Sequence, residues 1–484
     1  MSTAIEGLKP PLVWKYFGEL AKIPRCSKHE AAAARFVLDT AKKLGLSAKC
    51  DKSGNLIVKK PASPGREKVK SVCLQGHLDM VCEKNADKVH DFSKDPIELV
   101  RKGNVLMANG TTLGADNGIA VVTNLAIMED KTLEHGPLEL LFTVNEETGH
   151  TGAHGLQPGF IESRTLMNLD SEEEGALYVG CAGGKDTTGT WKVEYEKAPA
   201  TMAALDVNVT GLRGGHSGLE IDKGRGNAIK MLNRVLIALG DECGARPATI
   251  HGGNKRNAIP RECMALVFVP KAKLADAKAL VAQWNETARA ELKTVEPNLK
   301  VSANEVKKKG SVLKKKYQRQ IMQVISALPH GVIKMSAEIS WLVETSTNIG
   351  VIKTAGQKIQ LTTTQRSSVA SEIKEIAQTV KTIFEMGGAE VQQGEGYPGW
   401  KPDMDSAILK MAESTYKQLY GKEPEVKAVH AGLECGIIGE KYPGMDMVSF
   451  GPTLEGVHSP EEKIYVDTVP RFWEFLMAIL RNVS

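Results

Sequence analysis

Apolar residues recur along this chain with two periods, and the switches between them mark its elements. Over 30–44 the run EAAAARFVLDTAKKL repeats apolar positions at helical spacing, and Gly45 offers a stop. Short unbroken apolar runs follow at 71–75, 138–144 and 165–169. Runs of that length bounded by polar residues read as buried strands, and 118–128 between the first two reads as a helix. Strands alternating with helices predict an α/β domain around a mostly parallel central sheet.

Around Gly183 the texture changes. A strand at 204–209 leads through a glycine-rich loop to a helix at 227–239 and a strand at 264–269. A second set repeats the theme, with strands at 343–349 and 358–364, a helix at 372–384 and a strand at 389–393. After Tyr397-Pro398-Gly399 the first texture returns, with a helix at 405–420, a strand at 447–450 and a last helix at 469–480. The reading is therefore a discontinuous domain, 1–183 and 399–484, interrupted at 184–398. The inserted part is expected to be α+β with a duplicated βαβ-like pattern.

A length of 484 residues agrees with two domains, since one ordinary core does not grow that large. No apolar run approaches the roughly 20 residues needed to span a bilayer, so no membrane partner is expected. The start, MSTAIEGLKPPLVWKYFGEL, lacks a basic stretch followed by an apolar one, and no signal peptide is read there. The net charge of +4, from 62 basic and 58 acidic residues, argues against nucleic acid. Lys307–Lys309 and Lys314–Lys316 form the densest basic stretch, but no aromatics interleave to stack bases, so a solvated surface is expected. Eight cysteines occur with no C-x-x-C pair. Several lie in apolar runs, as Cys73 does, and are read as reduced small hydrophobes in a cytoplasmic protein.

Chemistry concentrates in five segments placed where strands are expected to end. GHLDM carries His77 and Asp79, GADNGIA carries Asp116, NEETG carries Glu146 and Glu147, NLDSEE carries Asp170, and GPTLEGVHSP carries His458. Ligands of open α/β sheets bind outside the carboxyl ends of the strands, so the five can converge on one crevice. Imidazoles with carboxylates suit Zn²⁺, and an oxygen-rich set also admits Mn²⁺ or Co²⁺. Two such ions about 3.5–4 Å apart need a bridging carboxylate, and together polarise a carbonyl and acidify a water. A free carboxylate beside them can take the nucleophile's proton and return it to the leaving amine. Adjacent Glu146 and Glu147 can divide these jobs if the backbone turns there, and Gly149 allows a turn. Asp79 is placed to accept the second N–H of His77.

These five segments resemble the two-zinc aminopeptidase, carboxypeptidase and dipeptidase superfamily that includes carnosinases and aminoacylases. Longer stretches look closer still to its bacterial cytosolic aminoacyl-histidine dipeptidases: VHDFSKDPI, GTTLGADNGIA, DSEEEGALYVGCAGG, RNAIPRE, YPGWKPD and HAGLECG. The resemblance implies two Zn²⁺ per chain, with Asp116 bridging, His77 and Asp170 on one ion, and Glu147 and His458 on the other. It makes Glu146 the general base and acid and Asp79 the orienter of His77. It makes the inserted domain a lid whose His216, Asn257 and Arg366 touch substrate. The implied activity is hydrolysis of unblocked dipeptides, including those ending in His, by a homodimer.

Two other readings stay open: an N-acyl-amino-acid deacylase on the same metals, and a binding protein without catalysis. Other motifs fall away. His150 and His154 have the spacing of a helical zinc pair, but no Glu follows His150 as H-E-x-x-H requires, so both are read as structural. GCAGGKD is one residue short of a phosphate loop and has Asp186 where Ser or Thr is needed.

Overall fold

In the computed structural model, which describes residues 3–484, strand Val72–His77 is buried along its whole length. Its side chains alternate between two apolar clusters. Leu74 joins Leu140, Phe142 and Met167 on one face, while Cys73 joins Leu141 and Leu166 on the other. Burial on both faces is why these strands read as unbroken apolar runs.

The sheet they form has eight strands in the order Ser47–Cys50, Leu56–Lys60, Leu138–Thr143, Val72–His77, Thr165–Asn168, Asp446–Ser449, Ala176–Cys181 and Glu425–Val429. The four middle strands are parallel, and the strands joined to either side of them are antiparallel. One face carries helices Pro11–Leu20, Ala115–Glu129, Ala407–Tyr420 and Thr468–Asn482, which contribute Trp14, Ile119, Leu409 and Leu476 to the larger cluster. Helix Glu434–Lys441 covers the other face with Cys435 and Ile438. The expected α/β architecture with a mostly parallel centre is what the chain adopts.

The chain divides into two compact units. One comprises the chain up to Gly180 with Trp400–Ala428 and Leu433–Ser484; the other is Cys181–Gly399 with Val429–Gly432. The second unit is built on a nine-stranded sheet whose pairings are antiparallel. Its first half uses strands Met202–Thr210, Arg246–Gly252, Cys263–Pro270 and Lys300–Val306, arranged fourth, first, third, second. Its second half uses Gly183–Lys192, Val343–Ala355, Lys358–Ser367 and Glu390–Gln393 in the same arrangement, with Gly331–Met335 as a ninth strand paired to Val343–Ala355. Each half is thus a split βαβ motif, βαββαβ, in which the parallel strands have an antiparallel one between them. The duplication is as expected, but the sequence pattern missed Arg246–Gly252, whose RPATIHG is interrupted by Pro247 and polar residues. That strand and Val343–Ala355 pair through His251 and Lys353, which joins the halves into one sheet.

Among the described residues no helix is long and apolar enough to cross a membrane. Cys26 and Cys82 form a disulfide, which departs from the reading of the cysteines as reduced. The physical reason is local: Cys26 forms a parallel β-bridge with Met80, and this brings the two cysteine Cα atoms to 5.7 Å.

Candidate metal centre

His77 is the last residue of its parallel strand, so the sheet fixes its backbone and the ring emerges at the carboxyl edge. Its N–H donates to Asn117 Oδ1 at 3.1 Å. Ring Nδ1 lies 3.3 Å from Asp79 Oδ1 and 3.2 Å from the Asp79 carbonyl oxygen, which leaves Nε2 to face outward. Nε2 stands 3.2 Å from Asp116 Oδ1 and 3.4 Å from Asp170 Oδ1. Asp79 is fully buried and accepts from Ser27 Oγ at 2.8 Å, Glu146 N at 2.9 Å and Glu147 N at 3.2 Å. Burial opposes its charge, but His77 and these donors outweigh burial and hold the carboxyl well below the usual range.

Asp116 sits where helix Ala115–Glu129 has not yet become regular: its φ of −80° and ψ of 114° are non-helical, as are those of Asn117. The loop before it is held by one carboxylate. Buried Glu462 accepts the backbone N–H groups of Leu113 (2.7 Å), Gly114 (2.9 Å), Ala115 (2.7 Å) and Asp116 (3.1 Å). Glu462 closes the loop that carries His458, which connects the antiparallel strands Leu454–Glu455 and Lys463–Tyr465. His458 therefore does not follow directly on a central strand, as expected, but stands on a hairpin of a separate four-stranded sheet.

The side chains close into two sets that share Asp116. His77, Asp116 and Asp170 form one; Asp116, Glu147 and His458 form the other, each with donor atoms within 4.8 Å of one another. His458 Nε2 lies 3.0 Å from Asp116 Oδ2 and 2.9 Å from Glu147 Oε2. Glu146 also falls in such a group with His77 and Glu147. Glu147 Oε1 is buried with no hydrogen-bond partner, so one ligating atom stands ready for a cation. The electrostatics point the same way. Asp116 and Glu147 raise His458 to about 11. Burial alone would lower His77, but Asp170 and Asp116 hold it well above the imidazole range. Burial also pushes Asp170 well up and Glu147 to about 6. Against burial, Asp116 is by contrast held low by His458 and His77, and divalent ions at such donors would supply the positive charge that Asp170 and Glu147 lack. The residues fit a metal centre.

Three positions around the centre were not legible as functional. Arg25, buried after the first helix, donates to the carbonyls of Leu78 and Asp79 at 3.0 Å each and to that of Gly114, so it ties the His77 segment to the Asp116 segment. Glu434 is fully buried and accepts from Thr143 Oγ1 at 2.5 Å and Gln75 Nε2 at 2.7 Å. Gln75 Oε1 in turn accepts from Asn168 Nδ2 at 2.5 Å. A buried polar chain thus crosses three parallel strands just below the ligand-bearing ends. His150, read as structural, brings Nδ1 to 3.3 Å from Glu146 Oε1. The turn anticipated at Gly149 is present: the N–H groups of Gly149 and His150 both donate to the Glu146 carbonyl, at 3.2 and 3.1 Å.

The remaining predicted residues belong to the second unit. His216, on the short strand Gly215–His216, accepts at Nδ1 from the N–H groups of Gly218 (3.3 Å) and Leu219 (3.2 Å), which fixes the proton on Nε2. Asn257 is exposed, and its carbonyl accepts from Ser217 N at 2.9 Å, linking its loop to that of His216. Arg366 is buried on strand Lys358–Ser367 opposite Ser346. It donates to Tyr397 Oη at 3.0 Å, and its Nε has no hydrogen-bond partner. Ser346 Oγ is 2.7 Å from Nε2 of buried His430, whose pKa falls to about 3 through burial and the Arg366 charge.

Two donor sets sharing one carboxylate, beside a further carboxylate, are groups that could hold a pair of metal ions. Residues 73–482 match peptidase family M20/M25/M40, and the chain belongs to that family. It is 40% identical over 476 residues to the cytosol non-specific dipeptidase of Escherichia coli, covering 98% of each chain. It is similar to the crystal structure of aminoacylhistidine dipeptidase from Vibrio alginolyticus, with a TM-score of 0.91, 40% identity and coverage of 100% of this chain and 99% of that one. The aminopeptidase PepT of Bacillus cereus shares the fold at 16% identity, with a TM-score of 0.57 over 98% of this chain and 99% of that one.

Proposed function

We propose that the chain hydrolyses unblocked dipeptides, including those ending in His, to free amino acids at the Asp116-centred site. The observation that carries this reading is the pair of donor sets sharing Asp116, with the Glu146 carboxylate beside them. Relatives described as dipeptidases, each 40% identical across nearly the whole chain, support the substrate class. His77, Asp116 and Asp170 would hold one divalent ion, and Asp116, Glu147 and His458 the other. Zinc suits imidazole with carboxylate, and Mn²⁺ or Co²⁺ are substitutes. The chemistry such ions supply is polarisation of the scissile carbonyl and a lowered pKa of water.

The chain's own residues do the rest. Glu146 takes the proton of the attacking water and returns it to the leaving amine. Asp79 keeps the His77 ring in the tautomer that leaves Nε2 free for a ligand role. In the second unit, the unpartnered Nε of Arg366 supports pairing with the substrate's terminal carboxylate. The Nε2–H of His216 and the amide of Asn257 are assigned to the oxyanion that develops on the scissile carbonyl. The cytosolic relative supports a cytoplasmic location for this chain.

The test is a dipeptide panel, with Ala-His included and acetyl-amino acids alongside, on enzyme reconstituted with Zn²⁺, Mn²⁺ or Co²⁺. Dipeptides are expected to be turned over with far higher kcat/KM than acetylated substrates; the reverse preference makes the chain a deacylase. Glu146→Ala is expected to retain its metals and lose about 10²–10⁴ in kcat. Near-normal turnover by that variant removes Glu146 from the base role. A homodimer is expected by light scattering, and a single-chain mass refutes it.

A further inference from the structure

Glu146 is fixed at its backbone on both sides: its N–H donates to Asp79 Oδ1 at 2.9 Å, and its carbonyl receives the N–H of His150 at 3.1 Å. A glutamate still keeps three side-chain torsions beyond that anchor. A base must lie within hydrogen-bond reach of the proton it takes, and a misplacement of about 1 Å can cost about 10²-fold in rate. Something must therefore hold the carboxylate.

The imidazole Nδ1 of His150 is in ion-pair range of Oε1 at 3.3 Å, without the alignment of a hydrogen bond, and only 15% of the His side chain and 14% of the Glu side chain are exposed. We propose that His150 is a positioning residue for the general base: by engaging Oε1 it holds Glu146 so that Oε2 is presented to the reacting proton. The inference rests on the assignment of Glu146 as the base.

Two further observations converge on it. His150 takes φ 53° and ψ 32° just before the short helix Thr151–Gly155, a left-handed conformation uncommon outside glycine, though histidine is among the residues that adopt it more readily. That conformation turns the chain back so that residue 150 can face residue 146. The short helix that follows packs against helix Glu434–Lys441, whose first residue is the buried Glu434. Burial opposes protonation of His150, but the contact with Glu146, with Glu434 adding to it, outweighs burial and raises its pKa to about 9.

The left-handed backbone also supplies the controls. Glycine adopts it without strain, so His150→Gly keeps the turn and removes the ring. Asparagine tolerates it as well, and its Nδ2 falls near the place of Nδ1, so His150→Asn keeps a donor. With metal-reconstituted enzyme and an Ala-His substrate, H150G is expected to lose about 10- to 100-fold in kcat. Its KM should stay within about twofold and its metal content should equal the parent's. H150N is expected to recover much of that loss, and adding H150G to E146A should slow the residual turnover no further.

A kcat for H150G within twofold of the parent, while E146A is inactive, overturns the proposal and leaves the base assignment standing. H150N as slow as H150G overturns it too, as does a loss of metal or folded protein that accounts for the lost rate. If E146A itself keeps near-normal turnover, it is the base assignment that fails.

Discussion

Glu462 stands in GVHSPEEKIY, where a pair of glutamates reads as solvated surface, yet only 2% of it is exposed and its two oxygens take four backbone N–H groups. Those donors belong to the loop that delivers Asp116, so one side chain sets the position of the shared carboxylate. Hydrogen bonds to a charged acceptor contribute about 1.5–3 kcal/mol each, and buried donors left without a partner cost more than the bond itself. Glu462→Ala is expected to destabilise the protein by about 3–5 kcal/mol in urea unfolding. Glu462→Gln should not rescue it, because its amide NH₂ would face backbone N–H groups. Elemental analysis should find both metals depleted in E462Q; full occupancy would show that Asp116 needs no such support. The convergence of the candidate ligands was legible: His, Asp and Glu in five short motifs were expected at one crevice, and their donor atoms do fall into groups within 4.8 Å. Glu462, Arg25 and His150 were not, because each acts on backbone groups or on a neighbour that comes close only after the chain has folded.

Among elements the sequence was most legible where a segment is buried on both faces or strongly amphipathic. The strands at Val72–His77 and Leu138–Thr143 and the helix Thr468–Asn482 fall within a few residues of their expected bounds. Pairings between distant segments were hidden, the Cys26–Cys82 bond above all, because eight cysteines without a spacing motif leave the partner undetermined. This bond joins the segment after the first helix to the loop after the His77 strand, across a sequence separation of 56. Its neighbours Arg25 and Ser27 are among the residues that hold Asp79. Closing a loop of that length restricts the unfolded chain by about 4 kcal/mol in the chain-entropy account. Cys26→Ser with Cys82→Ser is therefore expected to lower the urea midpoint markedly. Reductant should do the same to the parent and nothing to the double variant. An unchanged midpoint, or two free thiols at these positions in the purified protein, would show that the bond contributes nothing to stability.

At the scale of the whole molecule, acid should weaken the two units unequally. The second unit contains two imidazoles held neutral, half-buried His330 and buried His430: desolvation lowers His330 to about 4, and burial with the Arg366 charge lowers His430 to about 3. His330 Nδ1 faces Asn227 Nδ2 at 3.4 Å and the Ile349 N–H at 3.5 Å, so the fold uses this nitrogen as an acceptor. An unfolded imidazole takes its proton near pH 6.5, the folded His330 only near 4. Between those values the unfolded state binds more protons, so stability rises with pH. The contribution is present above about pH 6.5 and lost as pH falls towards 4, and for His330 it amounts to about 3 kcal/mol. In the metal-free first unit His150 and His458 are raised to about 9 and 11, so acidification over the same window takes nothing from them. Hydrogen exchange on metal-free protein between pH 7 and pH 4.5 should therefore show strands such as Val343–Ala355 and Lys358–Ser367 losing protection first. His330→Asn offers Oδ1 where Nδ1 stood but does not titrate, so it should flatten that pH dependence. Equal loss of protection in both units, or an unchanged slope in H330N, would place the acid sensitivity elsewhere.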